Sequence, residues 1–190
     1  MKRKTWILLL LIIGLLVILT SSCKKDDNKS NQLPTAIGQN YQGGIIAYFF
    51  KSGDPGYVAG EIHGLIAAPS DQSSIAKWGC YGYLISGTST ALGTGKSNTT
   101  AIVNGCATAQ AACICNNLVL NGYDDWYLPS IGELNILYCN KTTIGGFAYD
   151  YYWSSSELHY LYAYRQYFGD GRKDCYFKGL PGNVRAVRSF

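Results

Sequence analysis

The chain begins with an apolar stretch too short to serve as a permanent membrane span. Lys2, Arg3 and Lys4 are followed by an apolar run from Trp6 to Leu19, interrupted by Gly14, and then by Thr20, Ser21 and Ser22 before Cys23. A helix that crosses a bilayer needs roughly 20 apolar residues. A basic start, a shorter apolar centre and small residues at the end instead make up a cleavable export signal. Residues 1–22 therefore read as a signal peptide, and the rest of the chain is expected to fold outside the cytoplasm, where disulfides are permitted.

The Ser21-Ser22-Cys23 ending resembles a bacterial lipoprotein signal, in which the cysteine receives a thioether-linked diacylglycerol before cleavage. The usual box has Leu three residues before the cysteine, where this chain has Thr20, with Leu19 one step earlier. The resemblance implies lipidation of Cys23 and a membrane partner reached through acyl chains, each buried methylene contributing about 0.8 kcal/mol. Residues 23–40 are expected to form the anchor and a solvated tether, since Lys24 to Gln32 is polar, charged and free of aromatic residues. Lys25-Asp26-Asp27 is also similar to the signal that sends lipoproteins of Bacteroidota-type bacteria to the outer face of the outer membrane. Surface display is the expected localisation, with a periplasm-facing protein as the alternative.

About 150 residues remain, one domain's length and enough for a sizeable core. The formal charge of +4 falls close to neutrality once the three basic residues of the signal are removed, which points away from nucleic acid. Cys80, Cys106, Cys113, Cys115, Cys139 and Cys175 form an even set, as a disulfide framework would. Cys113 and Cys115 are too close in sequence to pair with each other. No Cys-x-x-Cys pair accompanies His63 or His159, so structural disulfides or buried thiols are expected rather than a metal centre, and no cofactor is expected.

Gln42 to Phe50 and His63 to Ala68 read as strands. Gly79 to Ser97 reads as a long loop, and Asn98 to Leu120 as helix, capped by Asn98 or Thr99 and split near Gly105. Ser130 and Glu133 stand at the spacing of a capping box ahead of Leu134, Ile136, Leu137 and Tyr138. Strands are expected at Tyr151 to Ser155, Tyr160 to Phe168, Asp174 to Lys178 and Asn183 to Phe190, with turns at Gly169-Asp170-Gly171 and Pro181-Gly182. The class is α+β, two helical regions followed by a mainly antiparallel C-terminal sheet.

Four constellations invite chemistry. Gly93-Thr94-Gly95-Lys96-Ser97 lacks the first glycine of a phosphate loop, that position being Thr90. Ser154, Ser155 and Ser156 lie near Glu157 and His159, but no Gly-x-Ser-x-Gly elbow surrounds them. Asp124 and Asp125 fit a turn better than a calcium site. The late basic residues Arg165, Arg172, Lys173, Lys178, Arg185 and Arg188 suit acidic groups, although strand alternation separates Arg185 from Arg188.

An ordered set of motifs closes the reading: Gly122-Tyr123-Asp124-Asp125-Trp126-Tyr127-Leu128-Pro129-Ser130, Glu133-Leu134, Leu137-Tyr138, Tyr152-Trp153-Ser154-Ser155-Ser156-Glu157 and Val184-Arg185-Ala186-Val187-Arg188-Ser189-Phe190. Together they resemble the C-terminal domain family of the Legionella collagen-like adhesin, over about residues 41–190. The resemblance implies a C-type-lectin-like fold related to the formylglycine-generating enzymes, and a noncatalytic, adhesin-like domain that binds extracellular polysaccharide carrying acidic or sulfated groups. No collagen-like repeat and no Glu-Pro-Asn or Trp-Asn-Asp sugar-and-calcium signature is present. Within the motif, Trp126, Leu128, Pro129, Leu134, Tyr138, Trp153 and Ser155 are expected to be structural and Glu133 a cap, while Glu157 is expected to pair with Arg185 or Arg188. The ligand is expected at Tyr162, Tyr164, Arg165, Arg172, Lys173 and Arg188. The competing readings are a formylglycine-generating-type oxidase or glycan-processing enzyme, and a structural envelope protein with no soluble ligand.

Overall fold

A computed structural model of the chain describes residues 32–190. The signal peptide, Cys23 and the tether up to residue 31 lie outside the described residues. Asn40–Tyr41 (β1) turns back on Gly44–Phe49 (β2), which pairs with Gly64–Ala67 (β3). The fourth strand of this antiparallel sheet is Val187–Ser189 (β9), giving the order β1-β2-β3-β9.

The second sheet contains Ser73–Lys77 (β4), Tyr151–His159 (β5), Tyr162–Tyr167 (β6), Lys173–Phe177 (β7) and Pro181–Val184 (β8). Its order is β4-β8-β5-β6-β7, antiparallel except where β8 runs parallel to β5. Between the strands lie Gly95–Gly105 (α1), Ala111–Asn116 (α2), Ile131–Cys139 (α3) and Lys141–Ile144 (α4). The class is α+β, as expected.

Four details differ from the sequence reading. Helix α1 starts at Gly95, so Asn98 and Thr99 lie inside it rather than capping it, buried and bonded to other segments. Asn98 donates to the Ser89 carbonyl and to Ser155 Oγ, while Thr99 Oγ1 accepts from the Leu128 amide. Strand β4 escapes the sequence reading because its pattern is mostly polar, with Ile75 facing solvent. Pro181-Gly182 begins a strand rather than making a turn; Pro181 opposes Lys77 at the first position of β8, where a strand tolerates proline. Finally, Asn183 to Phe190 is not one strand. The chain leaves the second sheet at Val184, passes through buried Arg185 and Ala186, and enters the first sheet at Val187.

The capping box forms as its spacing predicts. Ser130 Oγ accepts from the Glu133 amide at 3.2 Å, and the Ser130 amide donates to Glu133 Oε2 at 2.8 Å. Glu133 also accepts from the Gly93 amide at 3.2 Å, just before α1. A Cβ on Gly95 would meet Glu133 Oε2 at 2.1 Å, so that position has room for glycine alone. The glycine-rich segment thus receives the chain's own carboxylate at a helix start, where an anion is favoured. Burial raises the Glu133 carboxyl pKa above its ordinary value, against the lowering effect of these hydrogen bonds. Ser130→Ala removes the cap and is expected to destabilise the domain by about 1 kcal/mol, a loss readable as a lower midpoint in thermal denaturation.

Two apolar clusters hold the layers together. Trp78, Ile102, Trp126, Leu128 and Trp153 belong to one. Leu65, Leu134, Leu137, Tyr152 and Phe168 belong to the other, where α3 packs against both sheets.

Candidate functional site

The β5–β6–β7 register sets Arg165 opposite Trp153 on one side and Asp174 on the other. Arg165 Nε lies 2.7 Å from Asp174 Oδ1, and its guanidinium carbon sits 3.6 Å from the Tyr151 ring centre and 3.5 Å from that of Tyr176. The cation is therefore neutralised and clamped between two aromatic faces. Arg172 follows from the turn before β7. Its Nη2 donates to the Tyr151 hydroxyl at 2.6 Å, and its guanidinium carbon lies 5.9 Å and 6.0 Å from the Tyr151 and Tyr167 rings. Tyr167 in turn meets Tyr151 at 4.9 Å and the exposed Tyr149 at 6.0 Å. Among the described residues, Arg172 has no carboxylate within salt-bridge distance. A ladder of tyrosines with one clamped and one solvent-facing arginine results, suited to a ring-bearing, anionic ligand.

The six residues expected at the ligand do not converge. Tyr164 and Gln166 point away from Arg165 by strand alternation, and the Gln166 amide reaches Asn135 of α3. Lys173, opposite Gln166, shares that other face. Tyr162 lies at the far end of β6, 4.6 Å from the Phe177 ring. Arg188 is buried in the first sheet, bonded to Asp125 at 2.5 and 2.9 Å and stacked 4.0 Å from the Tyr123 ring. Only Arg165 and Arg172 meet at one place. Tyr149, Tyr151, Tyr167 and Tyr176 complete it and were not singled out from sequence, although Tyr151, Tyr167 and Tyr176 stand on the same three paired strands as Arg165 and Asp174.

The expected pairing of Glu157 with Arg185 or Arg188 is replaced by three separate pairs. Glu157 binds Lys178, Arg185 binds Asp71, and Arg188 binds Asp125. Lys178 follows β7 directly, which brings its ammonium to Glu157 of β5, whereas Arg185 lies between β8 and β9 and Arg188 within β9 of the first sheet. Arg188 holds the Asp125 carboxyl pKa below its usual range, against the effect of burial.

The Lcl C-terminal domain family model matches residues 77–188, from the end of β4 into β9. The chain belongs to the Lcl C-terminal domain family. No curated protein matches it.

Within this Lcl C-terminal domain, strands β1 to β3 precede the matched span but supply the sheet that β9 completes. Most of the motif residues are held inside the fold. Trp126, Leu128, Pro129, Ser130, Glu133, Leu134, Trp153, Ser155 and Arg185 are buried, and Tyr138 meets Phe168 edge-on at 5.7 Å. The three serines of β5 are also spent internally. Ser154 Oγ donates to the Tyr164 carbonyl, Ser155 Oγ accepts from Asn98, and Ser156 Oγ donates to Ser89 while accepting from Ile131.

Cys80 and Cys106 form a disulfide, while Cys113, Cys115, Cys139 and Cys175 are free thiols on α2, α3 and β7. Burial pushes the Cys115 thiol well above its ordinary pKa, and none of the four lines the cleft of about 300 Å³ formed by Phe50, Pro55, His63 and Phe190 with their neighbours. Among the described residues, no three His, Cys, Asp or Glu side chains gather as a metal site would require.

Proposed function

We propose that this chain is a noncatalytic, adhesin-like recognition protein, held at the outer membrane by acyl chains on Cys23 and binding extracellular polysaccharide with acidic groups. The observation that carries this reading is the tyrosine ladder around Arg165 and Arg172. Sugar rings would stack on Tyr149, Tyr151 and Tyr167, and a sulfate or carboxylate would meet the solvent-facing guanidinium of Arg172. A C-type-lectin-like fold related to the formylglycine-generating enzymes belongs to the same proposal, supported by family membership and by two sheets with few helices. The internal bonds of Ser154, Ser155 and Ser156 favour recognition over hydrolysis.

Dextran sulfate binding by the full-length chain in detergent tests the reading. Raising salt from low to high concentration should weaken it, because the contact is an exposed charge pair. Arg172→Ala should lower affinity about tenfold. Binding indifferent to both salt and the substitution would overturn the assignment.

A further inference from the structure

A second aromatic surface lies at the opposite end of the β5–β6–β7 ribbon. Tyr81, Tyr83, Tyr160 and Phe177 are 52%, 66%, 44% and 38% exposed. Tyr81 meets Phe177 at 6.5 Å between ring centres, Phe177 meets Tyr162 at 4.6 Å, and His159 lies 6.3 Å from Tyr162 and 3.9 Å from Tyr160. Tyr81, Phe177, Tyr162, His159 and Tyr160, from three separate segments, thus form one run of neighbouring rings.

Its backbone is fixed from below. The Cys80–Cys106 disulfide pins the loop, and Cys80 itself holds a left-handed conformation, φ 54°. The Gly82 amide donates to the Tyr160 carbonyl at 3.0 Å, joining the loop to the β5–β6 turn, with Gly82 at φ +86°. Lys178 Nζ donates to the Tyr83 carbonyl at 2.9 Å, and the Ile85 amide donates to both oxygens of Glu157, at 2.9 and 3.0 Å. The rings are exposed on a frame that has little freedom left to lose on binding.

The strip is uncharged. Residues 81–84, 158–162, 177, 179 and 180 include no Asp, Glu, Lys or Arg, and the nearest ionic groups, Lys178 and Glu157, neutralise each other beneath it. Nothing there complements an acidic polymer. Tyrosines expose an apolar ring with a hydroxyl at its tip, which suits the mixed apolar and hydroxylated faces of sugar rings better than a purely apolar surface. We infer that this strip is a second glycan site, which stacks consecutive pyranose rings of an uncharged polysaccharide. The inference rests on the recognition reading above, but on different residues and a ligand of different charge.

Binding of the full-length chain to immobilised dextran, mannan, arabinoxylan and β-1,3-glucan tests it, with dextran sulfate measured in parallel. At least one uncharged polymer should bind with an affinity that is the same at low and high salt. Tyr81→Ala and Tyr160→Ala should each weaken that binding about tenfold, and Tyr81→Phe should weaken it less, because the stacking face remains while the hydroxyl is lost. The same variants should leave dextran sulfate binding intact, whereas Arg172→Ala should do the reverse. Failure of all four uncharged polymers to bind overturns the second site while leaving the acidic-glycan reading to stand on Arg172. Uncharged binding that survives both tyrosine truncations overturns it equally, as does a strip that engages only a protein partner.

Discussion

Arg185→Ala is expected to destabilise the domain by about 3–5 kcal/mol. The side chain has no solvent exposure, and all its polar contacts are internal. Its Nε binds Asp71 at 2.6 Å, Nη1 donates to the Ala68 carbonyl at 3.0 Å, Nη2 donates to the Gly146 carbonyl, and the guanidinium stacks 4.1 Å from the Phe147 ring. Truncation leaves Asp71 with the Tyr152 hydroxyl alone among these partners, strands two carbonyls and opens a cavity between the sheets. With a urea slope of about 1–3 kcal/mol per molar, the unfolding midpoint should fall by more than about 1 M. A midpoint within a few tenths molar of the parent would show that the junction tolerates water and that Arg185 does not tie the sheets.

Lys178→Met should produce a loss of similar size, about 3–5 kcal/mol, from the other end of the domain. The Lys178 side chain is fully buried and Glu157 nearly so, and the ammonium lies 4.5 Å from the Trp78 ring centre. Burial lowers the Lys178 pKa from its ordinary value, while the contact with Glu157 opposes that shift. Removing the lysine leaves a buried carboxylate with the Ile85 amide as its remaining close donor. Adding Glu157→Gln should restore part of the loss, with a coupling of about 1–3 kcal/mol in the double-mutant cycle measured by urea unfolding. Strict additivity of the two substitutions would contradict a direct pair.

What could be read from the sequence was what depends on neighbours along the chain. Ser130 and Glu133 announce a helix start because both halves of the capping box lie within one turn. The strands at Gly44–Phe49 and Gly64–Ala67 are legible because continuous apolar, β-branched runs mark buried strands. The partners of the buried arginines were not legible. Arg185 and Asp71 are 114 residues apart, and Arg188 and Asp125 are 63 apart, so only the folded topology brings them together. Alternation along one strand was expected to separate Arg185 from Arg188; instead the chain changes sheets between them, and each belongs to its own internal pair. The tyrosine ladder was hidden for the same reason. Tyr151, Tyr167 and Tyr176 sit on three strands, and their neighbourhood depends on the register between those strands.

The crossing of Pro181–Ser189 from one sheet to the other bears on the order in which the domain can close. Neither sheet is complete until this stretch arrives: β8 separates β4 from β5, and β9 closes against β3, more than a hundred residues earlier in the chain. Pairings so distant form slowly, and here they wait for a segment made after nearly all the rest of the domain. Neither half of the domain should therefore lock early, and the final commitment to the fold falls to its last two strands.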